Sequence, residues 1–313
     1  MSTAAIPRST RVDIGICTFR RPELQQTLKS LAGLAVPDQV AVRIIVADND
    51  ATPSARPLVD GLRPFLPFEV HYVHCPAANI SIARNACLDH SDGDFLAFID
   101  DDEQASTEWL LLLLMMADAT GAEAVLGPVK AQYGADAPDW MHRGDFHSTA
   151  PVWGDGEIRT GYTCNVLLRR ASPTVAGRRF NLALGKSGGE DTDYFTHMHR
   201  AGGKIAFAAN AFVEETVTPG RARLSWLAKR RYRMGQTHGR LLAGNAPFTK
   251  RLAQLALAAA KAGFCALASL GSSPFAIQRN RYGLRAVLHL GVISGLIGVR
   301  EIQQYGHLGA TSP

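Results

Sequence analysis

Phe95-Leu96-Ala97-Phe98-Ile99-Asp100-Asp101-Asp102-Glu103 is the stretch on which the fold turns. Five apolar residues run without a polar break and stop at four consecutive acids. A short apolar run bounded in this way reads as a strand buried on both faces. The acids then stand just past its carboxyl end.

Reading outward, strand-like and helix-like segments alternate. Upstream lie apolar strands over residues 12–16, 42–47 and 69–73. After the first, Pro22 and Glu23 suit the first turn of a helix, and Leu24, Leu28 and Leu31 fall on one helical face. A helix over 81–90 precedes the central strand. Downstream come an apolar helix over 107–119, a strand over 124–129, a long loop over 138–157 and a strand over 162–168. Gly188-Gly189-Glu190-Asp191-Thr192-Asp193 opens a further helix, which Ala201-Gly202-Gly203 stops. Strands near 205–208 and 211–213 follow. This alternation predicts an α/β fold with a mainly parallel sheet and helices on both faces.

In such sheets ligands bind beyond the carboxyl ends of the strands. Three of those ends carry polar or acidic clusters: residues 18–21, 48–50 and 100–103. Loops are polar for other reasons too, but three clusters on one edge point to a site. Adjacent carboxylates repel unless a cation or donors compensate. A hard divalent ion, Mg²⁺ or Mn²⁺, takes carboxylate oxygens and shares diphosphate oxygens. The competing reading is a solvated acidic turn capping the next helix.

Composition sets the outer limits. With 313 residues, 46% apolar and 19% charged, the chain buries a real core, as one large domain or two smaller ones, and is not disordered as a whole. Five cysteines without a CxxC pair or zinc spacing fit reduced thiols in the cytosol. The polar N-terminus, residues 1–11, lacks the apolar core of a signal peptide. Net charge is +5, but from residue 219 onward Lys and Arg are frequent and Glu301 is the lone acid. That balance calls for an anionic partner, phospholipid or nucleic acid. No nucleic-acid signature accompanies it, so none is expected as partner. Apolar segments over 252–270 and 284–299 read as interfacial or packed helices, with Trp226 and Tyr232 among the basic residues at an interface.

Five stretches in order resemble one family: residues 12–22 (Val-Asp-Ile-Gly-Ile-Cys-Thr-Phe-Arg-Arg-Pro), 45–49 (Ile-Val-Ala-Asp-Asn), 79–85 (Asn-Ile-Ser-Ile-Ala-Arg-Asn), 98–103 (Phe-Ile-Asp-Asp-Asp-Glu) and 189–193 (Gly-Glu-Asp-Thr-Asp). Each is weak alone; together the chain resembles a family 2 glycosyltransferase of the GT-A fold, similar to bacterial exopolysaccharide and succinoglycan-type enzymes. The resemblance implies a GT-A domain over 11–235 and a basic, helical C-terminal region over 236–313. It implies transfer of a sugar, with inversion, from a nucleotide diphosphate donor (UDP favoured) to a saccharide or lipid-linked saccharide. The basic residues beside apolar helices in the C-terminal region add the expectation of a peripheral position on an anionic surface, at the inner, cytoplasmic face of the plasma membrane.

Roles carried over by the resemblance are these. Thr18, Phe19 and Arg21 cradle the nucleotide, Asp48 meets the base, and Arg84 lies near the uracil or diphosphate. Asp100 is near the ribose, Asp102 binds the metal (Mn²⁺ or Mg²⁺), and Asp101 fills the variable middle position. Asp191 is the catalytic base, Glu190 binds the acceptor or orients its neighbour, and Asp193 is a second candidate base. Asn165 is a candidate contact to the donor sugar. Helix capping is the competing account of Asp48, Glu190 and Asp191, and an exposed helix face that of Arg84. No histidine follows Phe212, where Val213-Glu214-Glu215 stands, and no QxxRW motif is present, so a single addition is expected over polymerisation. A nucleotidyltransferase, or a non-catalytic nucleotide-sugar-binding subunit, stays open as an alternative.

Overall fold

A computed structural model describes residues 9–244, 246–300 and 302. The sequence readings of the extreme N-terminus and of the tail beyond residue 302 lie outside the described residues. The chain forms two compact units. The first comprises Met1–Lys130, Ser148–Lys186 and Glu190–Glu215, and the second Ala131–His147, Ser187–Gly189 and Thr216–Pro313.

The first unit is built on β1 (Thr10–Thr18), α1 (Leu24–Ala32), β2 (Val40–Asp48), α2 (Arg56–Leu62), β3 (Glu69–His74), α3 (Ile80–His90) and β4 (Phe95–Ile99). Next come β5 (Glu103–Ala105), α4 (Trp109–Thr120), β6 (Ala124–Leu126) and β7 (Val129–Tyr133). After α5 (Asp139–Gly144) of the second unit follow a hairpin, β8 (Trp153–Gly154) and β9 (Glu157–Ile158), then β10 (Asn165–Arg169), α6 (Glu190–Arg200), β11 (Ile205–Phe207) and β12 (Val213–Val217). Seven strands form one sheet in the order β11-β6-β10-β4-β1-β2-β3. All its neighbours pair parallel except β10, which runs antiparallel to β4 and β6. The mainly parallel α/β architecture is the one the sequence predicts.

Both faces of the sheet are covered, which is why its strands are apolar throughout. Along β2 and β4, Ile44, Val46, Phe95, Ala97 and Ile99 bury toward one core with Leu24, Leu28, Leu31, Trp109 and Leu113. Their alternates Ile45, Ala47, Leu96 and Phe98 bury toward the other, with Cys87, Phe180, Tyr194 and Phe195. The period of two thus divides one apolar run between two cores. Each fully buried large aliphatic side chain contributes about 1.5–3 kcal/mol.

Several boundaries differ from the sequence reading. The strand expected over 124–129 breaks into β6 and β7 at Gly127-Pro128, where Pro128 has no N–H for the ladder and Gly127 packs so close that a Cβ would stand 2.1 Å from the Ala211 carbonyl. The expected 138–157 loop contains α5 and the β8–β9 hairpin, turned by Asp155 and Gly156 at positive φ. The strand expected over 211–213 is instead β12, which pairs antiparallel with an unforeseen β5.

In the second unit, α7 (Leu224–Ala243), α8 (Phe248–Gly271) and α9 (Ala276–Leu296) follow one another. Gly235 and Gly239 of α7 meet Gly291 and Gly295 of α9 so closely that a Cβ at any of them would lie 2.0–2.2 Å from a carbonyl oxygen of the opposing helix. Met141, Phe146, Leu227 and Leu284 form a further small core in this unit. All five cysteines are unpaired thiols.

Candidate active site

Parallel pairing puts the carboxyl ends of β1 and β2 level, with Thr18 opposite Asp48. Thr18 is buried, Phe19 half-buried and Arg21 exposed. The backbone turns sharply at Arg20, whose φ of 55° is in the left-handed region. That turn sends two guanidinium groups to two neighbouring loops. Arg20 Nε donates to Asp50 Oδ2 at 2.9 Å, and Arg21 Nη1 lies 3.6 Å from Asp102 Oδ2. The hydrogen bond from Arg20 holds the Asp50 carboxyl below its ordinary value. Asp50 carries no role in the sequence reading.

Asp48 is fully buried and its oxygens accept from the chain itself: Oδ1 from the Asp50 amide at 3.0 Å, Oδ2 from the Ala55 amide at 2.8 Å and Tyr72 Oη at 2.6 Å. Its carboxylate shapes the loop that carries Asn49 and Asp50. This is more than the helix cap considered from sequence, since the Tyr72 bond ties β3 to the same loop.

Four carboxyls gather beyond β4. The Asp100 amide donates to Glu103 Oε2 at 3.0 Å, which turns Glu103 back under the strand end and buries it. Antiparallel pairing sets Glu215 of β12 opposite Glu103 of β5. Burial pushes Asp100 up to about 7; Arg84 pulls the other way, while Asp102, Glu215 and Asp191 add to the rise. Burial, then Asp102, pushes Asp101 up to about 8, opposed by Arg21 and Thr18. Glu103 is raised well above the ordinary carboxylate range by burial and by Asp100 and Glu215. Donor atoms of Asp100, Glu103 and Cys164 lie within 4.8 Å of one another. Burial and the same carboxyls push the Cys164 thiol well up, and a hard divalent cation takes carboxylate oxygens in preference to sulfur. A hard divalent cation fits this donor set. It would supply the positive charge that burial and repulsion call for.

Across the cluster stands Arg84, on the buried face of α3 and not on an exposed one. It ion-pairs with Glu190, also buried, at the start of α6. Burial would lower the guanidinium pKa, but Glu190, Asp100 and Asp191 outweigh it and raise it. The Arg84-bearing motif explains how α6 is placed. Asn79 caps α3 by accepting from the Ser81 and Ile82 amides, and its Nδ2 donates to the Leu182 carbonyl at 3.0 Å. Ser81 Oγ donates to Asn181 O at 2.9 Å, and Asn85 exchanges two hydrogen bonds with the Phe180 backbone. Gly185 must lack a side chain, for a Cβ there would sit 1.7 Å from Asn79 Oδ1. The motif thus grips residues 180–185, a few positions before α6.

At the head of α6, Asp191 is half-buried and its Oδ1 accepts from the Thr192 amide at 2.7 Å. Asp193 lies about 200° further round the helix and sits 3.6 Å from His197 Nδ1. Glu190 is turned to Arg84, which favours orienting its neighbour over touching an acceptor. Asn165, the candidate contact to the donor sugar, is fully buried, accepts from Trp109 Nε1 at 2.8 Å, and donates to Pro128 O and Ala211 O at 3.0 and 2.8 Å. Glu103 and Glu215 are members of the cluster that carry no role in the sequence reading. The loop partnership of β5 and β12 that joins them leaves no mark in local spacing.

A model of the family "Glycosyl transferase family 2" matches residues 13–173. The chain is also 63% identical over 308 residues to "Succinoglycan biosynthesis protein ExoM" of Rhizobium meliloti (strain 1021), covering 98% of this chain and all of that one. The chain belongs to glycosyl transferase family 2. As a glycosyltransferase it stands apart from the nucleotidyltransferase alternative. Among solved structures, S. aureus TarS superposes with a TM-score of 0.53 at 17% identity, covering 91% of this chain, which spans 55% of that one. TarS 1-349 in complex with UDP-GlcNAc gives 0.52 at 14% identity and 91% coverage of each. At these identities the likeness is one of fold, and it identifies the sheet as GT-A.

Proposed function

We infer that this family 2 glycosyltransferase transfers a sugar, with inversion and with a divalent metal, from a UDP-sugar to a hydroxyl of a saccharide or lipid-linked saccharide in exopolysaccharide assembly. It works at an anionic membrane surface on the cytoplasmic side. The observation that supports the chemistry is that Asp191, at the head of α6, interacts electrostatically with Asp100 at the carboxyl edge of the sheet and with Arg84. The ExoM relative supports the polysaccharide role, and the UDP-GlcNAc complex of TarS supports the donor class.

In this reading the acceptor hydroxyl oxygen attacks the anomeric carbon as the bond from that carbon to the diphosphate oxygen breaks. Asp191 takes the hydroxyl proton, and the diphosphate departs with the bonding pair. Asp102, with Asp100 between it and the ribose side, would hold Mn²⁺ or Mg²⁺, and that ion would supply Lewis-acid stabilisation of the charge gained by the leaving diphosphate. Thr18, Phe19 and Arg21 line the nucleotide side, and Arg21 orients Asp102. Asp101, buried beside Thr18, supports that wall. Arg84 acts through Glu190 and the neighbouring carboxyls. Asp48 acts by fixing the loop it caps.

Isothermal titration of UDP with and without Mn²⁺, on wild type and Asp102→Ala, tests the donor side. Binding is expected to need the metal and to disappear in the variant. Wild-type binding indifferent to both would overturn the role of Asp102. Asp191→Asn is expected to retain UDP binding while transfer falls about 10²–10⁴-fold; unchanged transfer would sink the assignment of the base.

A further inference from the structure

Helix α8 is apolar over most of its surface, yet only one stripe of it is covered. Ala258, Ala262 and Cys265 are buried, and Ala258 packs with Val292 and Leu296 of α9. The opposite arc carries Phe248, Leu252, Leu257, Phe264, Leu267 and Leu270, all exposed, with Phe264, Leu267 and Leu270 at 66%, 71% and 72%. Two lysines belong to this exposed surface, Lys250 and Lys261. At about 100° per residue both fall at the border between the bare arc and the covered stripe. Both lie on the same border, where flexible lysine stems place their ammonium groups at the level of headgroups while the arc beside them stays apolar.

We propose that this arc of α8 lies in the interface of an anionic phospholipid bilayer, with the helix axis parallel to the membrane plane. It sharpens the membrane reading above by naming the surface and its orientation. Charge selects the occupant. Between residues 216 and 300 there are 14 Lys and Arg and no Asp or Glu. Two copies meeting through this face would bring like charges together, whereas anionic headgroups complement them.

Packing selects the orientation. By length and composition α8 could cross a membrane. However, its small-residue stripe is seated on α9, and α9 is locked to α7 by the glycine contacts at Gly235, Gly239, Gly291 and Gly295. Arg251 adds a bond to the Leu296 carbonyl at 2.6 Å. A spanning α8 would have to leave this seat or draw Arg279, Arg281 and Arg285 of α9 into hydrocarbon.

The test is co-sedimentation of the full chain with vesicles of phosphatidylglycerol and phosphatidylethanolamine, against phosphatidylcholine alone. Wild type is expected to bind the anionic vesicles, less so at high salt. Leu267→Glu with Leu270→Glu should weaken binding at least about tenfold. UDP titration on the same variant is the folding control and keeps this proposal separate from the transferase reading: unchanged UDP binding with lost vesicle binding supports it. Tryptophan placed singly at Leu252, Ala259 and Leu270, quenched by brominated lipids, should report one shallow depth at all three positions. A deep middle with shallow ends would establish a span and overturn the orientation. Equal vesicle binding by the double variant, or no binding by wild type, overturns the proposal. A dimer in solution abolished by the same substitutions, without vesicle binding, assigns the face to a second copy.

Discussion

Arg84 and Glu190, 106 residues apart in sequence, form an ion pair whose side chains are 6% and 3% exposed. One is on α3 and the other is the first residue of α6, so the pair fastens two helices beneath the acid cluster. Breaking a buried pair from one side leaves an uncompensated charge, at about 3–5 kcal/mol. Glu190→Gln should therefore lower Tm measurably. It should also lower kcat more than it raises KM for the donor, because Asp191 is the next residue. A variant with wild-type Tm and reduced kcat would instead make Glu190 a direct participant. Thermal melts beside steady-state kinetics separate the two.

Asp191 and Asp193 stand on different faces of α6, and this gives a second contrast. Asp193 is engaged with His197 one turn along the helix, whereas Asp191 contributes to the charge felt by Asp100 and Arg84. Asp193→Asn should leave kcat within about threefold of wild type, whereas Asp191→Asn should lose about 10²–10⁴-fold. Reversal of that order in a transfer assay would move the base to Asp193.

Much of this arrangement was legible in the sequence because it follows from short-range pattern. Residues 95–103 give the central strand and the acids beyond it, and Leu24, Leu28 and Leu31 give the covered face of α1. What was hidden depends on pairing between distant segments. Nothing near Glu215 signals that β12 will lay it opposite Glu103. Nothing near Asn165 shows that Trp109 and two carbonyls will consume its amide. Arg84 shows the difference plainly. Its motif is visible, but its partner is fixed only when Asn79, Ser81 and Asn85 bind residues 180–185.

The raised carboxyl values imply a pH dependence with a definite sign. Asp100 and Asp101 titrate near 7 and 8 in the folded chain, against about 3.9 when unfolded. Between roughly pH 4 and 8 the folded state holds protons that the unfolded chain has released. Stability is therefore greatest at the acid end of that window, as far as these two groups decide it, and falls as pH rises through 7 and 8. Metal-free melts from pH 5 to 8.5 should show the decline, flattened by Asp100→Asn. Mn²⁺ should restore more Tm at pH 8 than at pH 6, since it must displace those protons at the lower pH. A metal effect independent of pH would contradict the raised values.

The glycines of the second unit allow a prediction of opposite signs at neighbouring sites. A Cβ on Gly291 would stand 2.0 Å from the Tyr232 carbonyl, and the helix backbones must separate to admit it. Gly291→Ala should cost at least about 1–3 kcal/mol, the usual range for overpacking. Gly263, in the middle of α8, faces open space. There an alanine only reduces the freedom of the unfolded chain, and should stabilise by about 0.5–1 kcal/mol. Urea unfolding followed by circular dichroism can read both. Because the chain forms two units, each curve is to be fitted for a separate transition of the helical unit. The Gly291→Ala shift should fall in the transition that carries most of the helical signal of α7–α9. Equal tolerance at the two positions would mean that α7 and α9 do not approach as closely as described, and it would remove the packing argument that keeps α8 in the membrane plane.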